Sequence, residues 1–288
     1  MDNRNAQRGS QAGTEHVLKT HNSVVFKVLH GKFMPTKTNS TMNKIEEAAK
    51  LIANANCLCV FTGAGVSKES GIPTFRGSED SVYEQYDQSM LELNTYIHRT
   101  EEAWPVVNKV FYKFFKEAQP NKAHTTLAKW ENEGMVKAVI TQNIDSLHQA
   151  AGSKHVIEFH GGKGHFVCLK CGKKYPTASL KLTNEVPRCE CGGKLKPGFI
   201  FFGEGIPEDA YTESFDLAGK CDVMLVIGTT GEVQPAAYLP HVAKQHGAKI
   251  IEVNPQHSAY TGRITDIYLE MGAVEAMSKI DEEIQKLK

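Results

Sequence analysis

Residues 57–77, CLCVFTGAGVSKESGIPTFRG, constrain the fold more than any other stretch of the chain. Cys57 to Phe61 is a five-residue apolar run, of the kind that fills a strand buried on both faces in a parallel sheet. Gly63 and Gly65 then let the backbone turn tightly and approach a diphosphate, and the next helical turn would aim its amide hydrogens at that charge. A dinucleotide fingerprint of the hydride-transfer type needs a third glycine where this chain has Lys68, so that fingerprint is incomplete. The stretch reads as a nucleotide cradle after a core strand, with an unliganded glycine turn as the alternative.

The rest of the chain supplies partners for such a strand. Upstream, Asn43 and Glu46 form a capping box, and Ile45, Ala48, Ala49 and Ile52 make one apolar helical face. Strand character returns at Met135 to Ile140, at 155–160, at Val223 to Ile227 and at Lys249 to Val253, with a helical segment from Ala236 to His246. Alternating strands and helices imply parallel pairing and right-handed crossovers. The expected fold is therefore α/β, a Rossmann-like open parallel sheet covering about 42–77, 131–161 and 205–288. Tyr83, Tyr86, Trp104, Val107, Phe111, Phe114 and Phe115 mark a helical insertion over about 78–130 that would lie over the cradle. Residues 1–41 are polar and aperiodic, with Arg4, Arg8, Lys19, Lys27, Lys32 and Lys37 against Asp2 and Glu15. They read as a disordered tail, with a mitochondrial presequence or a start at Met42 as alternatives.

After Gly161 the composition shifts to Gly, Lys and Cys. Four of the seven cysteines form two close pairs, Cys168-x2-Cys171 and Cys189-x-Cys191, a thiolate set suited to one tetrahedral zinc. His165 is an alternative fourth ligand. Four protein ligands leave no open position for water, so the zinc would be structural, contributing on the order of 10–16 kcal/mol to a module at about 162–204. Cys57, Cys59 and Cys221 read as core residues. With 33 basic and 33 acidic residues in 288, the chain makes no case for nucleic acid as its main partner. It has no bilayer-length apolar run and no secretory signal, so a cytoplasmic location is expected, with nuclear or mitochondrial placement open. Nothing here points to an oligomeric state or to membrane association.

Six segments in order, GAGVSKESGIPTFRG (63–77), TQNIDSLHQAAG (141–152), EFHG (158–161), the four-cysteine module, FFGE (201–204) and GTTGEVQPAA (228–237), resemble the sirtuins, NAD-dependent protein lysine deacylases. The likeness spans about residues 43–288. It implies a Rossmann-like domain and a smaller domain of zinc module plus helical insertion, with NAD and acyl-lysine meeting in the cleft between them. By resemblance the cofactor-binding residues are Gly63, Ala64, Gly65, Phe75, Arg76, Gln142, Asn143, Asp145, Gly228, Thr229, Thr230, Asn254, Gly272 and Ala273. Arg76 would hold phosphate by charge, and Phe75 would shield the reacting ribose. His160 and Asn143 would be catalytic, and Ile200, Phe202, Gly203, Glu204 and Val233 would bind substrate.

The implied reaction starts with displacement of nicotinamide from C1′ by the acyl oxygen, which gives an alkylimidate. His160, an imidazole that titrates near neutrality, then activates the ribose 2′-hydroxyl directly or through the 3′-hydroxyl. Water releases free lysine and O-acyl-ADP-ribose. A peptide would add as a strand beside 196–204, with Ile200 and Phe202 walling a tunnel for the lysine stem. Relatives that prefer succinyl or malonyl groups carry Tyr-x-x-Arg in the insertion. Here Tyr112 is followed at the third position by Phe115, so acetyl or longer apolar acyl groups are expected. Protein mono-ADP-ribosylation in the same cleft is the alternative reaction, and a non-enzymatic zinc-ribbon or NAD-sensing module is the alternative class.

Overall fold

In a computed structural model, which describes residues 28–29, 32–33, 37–75, 81–113, 115 and 117–288, the apolar runs become strands of one parallel sheet. The chain divides into two units, Met1–Met42 and Asn43–Lys288. Within the first, where a disordered tail is expected, β1 (Val28–Leu29) and β2 (Lys32–Phe33) pair antiparallel. Helix α1 (Lys37–Ala53) begins six residues before the expected cap at Asn43. No Pro or Gly interrupts 37–53, so the helix extends upstream from its apolar face and Asn43 lies in its interior. Ile45, Ala48, Ala49 and Ile52 are buried as expected.

The sheet holds β3 (Leu58–Thr62), β4 (Val136–Thr141), β5 (Val156–Glu158), β9 (Val223–Ile227), β10 (Lys249–Val253) and β11 (Ile267–Leu269). Its spatial order is β11-β10-β9-β3-β4-β5, with every neighbouring pair parallel. The chain winds outward from β3 to β5, then returns beside β3 and winds the other way. The order therefore reverses between β3 and β9, the place where open α/β sheets hold ligands beyond their carboxyl ends. Every residue of β3 is buried, because successive side chains serve opposite cores. Leu58 and Val60 pack with α1, α5 (Lys122–Asn132) and α9 (Ala273–Leu287). Cys59 and Phe61 pack with α7 (Glu208–Lys220) and α8 (Leu239–Gln245). This division shifts the boundary of the expected insertion. Ala123, Leu127 and Trp130 of α5 belong to the sheet core, and Lys129 and Trp130 bond Asp281 of α9 at 2.8 and 2.9 Å, so the insertion ends before Asn121.

A third core holds the smaller lobe together. Helices α2 (Val82–Gln85), α3 (Leu93–His98) and α4 (Thr100–Asn108), with the π-helical turn Lys109–Lys113, bring Tyr96, Trp104, Val107 and Phe111 against Phe166, Leu195, Phe199 and Phe201. These last four come from the cysteine-rich segment, whose strands β6 (His165–Cys168), β7 (Lys174–Pro176) and β8 (Leu195–Pro197) form an antiparallel sheet of order β7-β6-β8. Trp104 meets Phe166 edge-on at 5.9 Å and donates its ring N–H to the Thr183 carbonyl at 2.9 Å. Insertion and zinc module thus share one core. Among the described residues, no helix is long and apolar enough to cross a membrane.

Candidate functional site

The carboxyl ends of the sheet strands open into a cleft of about 550 Å³ between the sheet and the smaller lobe, within the size range of small-molecule sites. At the β3/β9 crossing the backbones touch. The Gly65 N–H donates to the Gly228 carbonyl at 2.8 Å, and a Cβ on Gly65 would lie 2.6 Å from the Gly228 Cα. Gly228 itself has φ 63°. The glycines of the cradle are therefore required first by this close backbone approach, a reason invisible in their spacing. Gly63 is buried behind the cleft wall, while Ala64, Gly65 and Phe75 line it. Arg76 lies outside the described residues.

From β4, Gln142, Asn143 and Asp145 reach the cleft. Asn143 spends its side-chain NH₂ on the Gly63 carbonyl and Ser67 Oγ, both at 3.2 Å, which leaves Oδ1 to face a ligand. Ser67 donates to Asp145 Oδ2 at 2.7 Å. Gln142 Nε2 donates to Thr229 Oγ1 at 3.0 Å, and Asn254 Nδ2 donates to the Thr229 carbonyl at 2.9 Å. Thr230, Gly272 and Ala273 complete the far wall. These amides and carbonyls converge on the switch point as a bound dinucleotide's sugars and phosphates require.

His160 follows β5 and lines the cleft. Its Nδ1 lies 3.1 Å from the Gln142 carbonyl, so Nδ1 carries the proton and Nε2 is the basic nitrogen left to the cleft. Burial holds its pKa below the usual histidine value, against the opposing pull of that carbonyl. Neutral imidazole therefore predominates at neutral pH, the form a general base needs.

The apolar wall comes from the smaller lobe. Val82, Leu91, Val110, Phe111, Phe115 and Phe199 face the cleft with Ile200, Phe202 and Val233. Tyr112 turns away and stacks on Phe166 at 5.4 Å. Glu204 also lines the cleft, but its carboxylate bonds Lys196 Nζ at 3.0 Å and the Phe201 N–H at 2.9 Å. It thereby folds its own loop. The Phe202 N–H and carbonyl are taken by Leu91 and Leu93, so the backbone of that residue is already paired within the lobe, and Gly203 follows it in a turn with φ 82°.

Sequence comparison places this geometry. The model of the Sir2 family matches residues 63–235. An NAD-dependent protein deacylase of Pyrococcus furiosus is 42% identical over 254 residues, covering 84% of this chain and 98% of the relative. The chain belongs to the Sir2 family. An NAD-dependent protein deacetylase of Pyrobaculum aerophilum is 45% identical over 223 residues, 76% of this chain and 87% of its own. Among solved structures, a Sir2 variant with deacetylated p53 peptide and 3′-O-acetyl ADP-ribose superposes with a TM-score of 0.78 at 36% identity, covering 83% of this chain and 98% of that one.

The sirtuin's second site is its metal centre. The Sγ atoms of Cys168, Cys171, Cys189 and Cys191 all lie within 4.8 Å of one another, with Cys168–Cys191 and Cys171–Cys189 at 3.6 Å. A tetrahedral zinc with Zn–S of about 2.3 Å requires sulfur separations of about 3.8 Å, so the donor set fits. The one-residue spacing of Cys189 and Cys191 is accommodated. The His165 ring instead packs over Gly198, where a Cβ would come within 2.4 Å of it, and it is not in the ligand cluster. Backbone N–H groups of Lys170 and Cys171 point at Cys168 Sγ, each at 3.4 Å, an arrangement that offsets thiolate charge. Zinc held here supplies no chemistry to the cleft, since its four positions are filled.

Several supporting residues have no sequence signal of their own. His124 accepts the Asn121 N–H at Nδ1, so its Nε2–H points to Ser67 Oγ at 3.4 Å. His148 Nε2 lies 3.0 Å from Thr62 Oγ1, which donates to Thr141 Oγ1 at 2.8 Å, and Thr141 Oγ1 accepts the Asn143 N–H at 3.0 Å. Two buried histidines thus hold the Asn143 turn from beneath. Ser146 in the same turn, before α6 (Leu147–Ala150), has φ 62°, the non-glycine positive φ among the described residues, a strained conformation of the type found at functional turns.

Proposed function

We propose that this sirtuin removes acyl groups from protein lysines, with NAD consumed as co-substrate. The observation that carries the reading is His160, tied through Nδ1 to Gln142 and presenting Nε2 where the polar switch-point wall meets the apolar corridor. NAD supplies a C1′ carbon whose bond to nicotinamide breaks and an ADP-ribose that accepts the acyl group. Gln142, Asn143 and Asp145 bind the sugar and carboxamide, Ala64, Gly65 and Arg76 the diphosphate, and Thr229, Thr230, Asn254, Gly272 and Ala273 the adenosine half. Phe75 keeps water from the sugar. The acyl oxygen takes the place of nicotinamide at C1′, Nε2 of His160 takes the ribose hydroxyl proton as the hydroxyl oxygen attacks the acyl carbon, and water adds to that carbon to expel the lysine amine and release C1′. Ile200, Phe202 and Val233 flank the lysine stem, and Gly203 bonds the peptide backbone. Nicotinamide, free lysine and O-acyl-ADP-ribose leave.

The acyl group is acetyl or a longer apolar chain. The corridor is walled by Val110, Phe111, Phe115 and Phe199, and among the described residues no arginine lines it to meet an acyl carboxylate. The decisive experiment mixes the protein with acetylated peptide and NAD. Peptide-dependent nicotinamide release together with O-acetyl-ADP-ribose by mass spectrometry is expected, whereas ADP-ribose attached to protein without deacetylation would replace this reading with mono-ADP-ribosylation.

A further inference from the structure

The chain has Lys68 where a hydride-transfer fingerprint would have glycine, and the structure gives that lysine a place. It lies in the 3₁₀ turn Ala64–Ser70, in which residues three apart are eclipsed, so Lys68 stands over Gly65. Both line the cleft. On its other side Glu69 Oε1 accepts the Val274 N–H at 3.1 Å, in the first turn of α9. Lys68 thus lines the same cleft as Gly65 and as Gly272 and Ala273 of the far wall, on a turn that its neighbour Glu69 ties to α9.

The acids of the cleft are already committed. Glu204 pairs with Lys196, Asp145 takes Ser67 and the Leu147 N–H, and Glu69 holds α9. Lys68 is exposed and enters none of the ion pairs among the described residues. It is also the lysine among the described residues that line the cleft. An ammonium without an anionic partner, eclipsed with a glycine that permits close phosphate approach, is an incomplete salt bridge.

We infer that Lys68 is a diphosphate-binding residue that closes over the pyrophosphate of NAD from the solvent side, adding affinity for the ADP-ribose half without acting on the reacting carbon. This rests on the NAD reading above. A flexible ammonium at a cleft mouth interacts through screened charge, so its contribution should depend on salt and on the sign of the side chain.

The test uses the full chain and Lys68→Ala, Lys68→Arg and Lys68→Glu. At about 50 mM salt, Lys68→Ala should raise the KM for NAD and the calorimetric Kd for ADP-ribose by about fivefold, with kcat moving less than about twofold. Lys68→Arg should restore both constants, Lys68→Glu should weaken both further, and inhibition by nicotinamide alone should not change. At about 0.5 M salt the gap between wild type and Lys68→Ala should largely close. Unaltered ADP-ribose binding in Lys68→Ala at low salt overturns the inference, as does a loss that persists at high salt and is not rescued by arginine. A wild-type protein that binds ADP-ribose but consumes no NAD with acetylated peptide would instead count against the deacylase reading and leave the binding comparison intact.

Discussion

At the scale of single residues, the central asymmetry is that of His160, with Nδ1 spent on a carbonyl and Nε2 left to the cleft. Replacement by alanine should lower turnover by about 10²- to 10⁴-fold while circular dichroism and zinc content stay at wild-type levels. Unchanged turnover would remove His160 from the reaction. Because burial lowers its pKa, the acid limb of the kcat/KM profile should fall below the ordinary histidine value of 6.5. The supporting histidines make a different prediction. Burial depresses His124, and pushes His148 down to about 3 from 6.5. Both stay neutral in the fold, whereas the unfolded chain takes up their protons below about pH 6.5. Stability should therefore be lost as pH falls through that window, by at most about 1.4 kcal/mol per pH unit for each histidine. Thermal unfolding between pH 7 and 4 should show a shallower acid slope in His148→Gln than in wild type. Equal slopes would mean that His148 is protonated in the fold.

Elements carry the next level of constraint. The β3 and β9 turns meet glycine to glycine, so Gly65→Ala must push a Cβ into the Gly228 backbone. Overpacking of this kind costs about 1–3 kcal/mol. A lower urea midpoint with weakened ADP-ribose binding is expected, and a neutral substitution would contradict the close approach. The spacing of glycines 63 and 65 was legible in the sequence and its phosphate reading was natural, but the partner backbone lies far along the chain. Local spacing carries no record of it. The same limit explains α1, whose apolar face is legible in the sequence but whose start at Lys37 is not, since the capping signature at Asn43 competes with an uninterrupted upstream segment. It also explains α5, where a buried aromatic stripe looks alike whichever core it enters.

On the scale of the whole molecule, the smaller lobe is one core built from two sequence insertions, with a metal site at its edge. Zinc removal should therefore reach beyond the cysteine loops. One zinc per chain is expected by atomic absorption. Chelation, or Cys171→Ser, should abolish activity and loosen Trp104, which packs on Phe166, with a red-shifted tryptophan emission. An apo protein that keeps its Trp104 environment would separate the two insertions. The apolar corridor between the lobes makes its own prediction, that octanoyl-lysine peptides are processed and succinyl-lysine peptides are not, read by mass spectrometry of paired substrates.

By itself the sequence determined the parallel α/β class, the buried strands, the four thiolates and the family motifs, because each is written in periodicity or short spacing. Tertiary structure alone decided which motifs meet. It set Gly65 against Gly228, hung Asn143 on Ser67 and, through Thr141 and Thr62, on His148, gave Glu204 to its own loop, and placed α5 in the sheet core. The physical reason is that strand order and packing juxtapose residues from distant segments, and the hydrogen bonds that tune the site exist only after that juxtaposition.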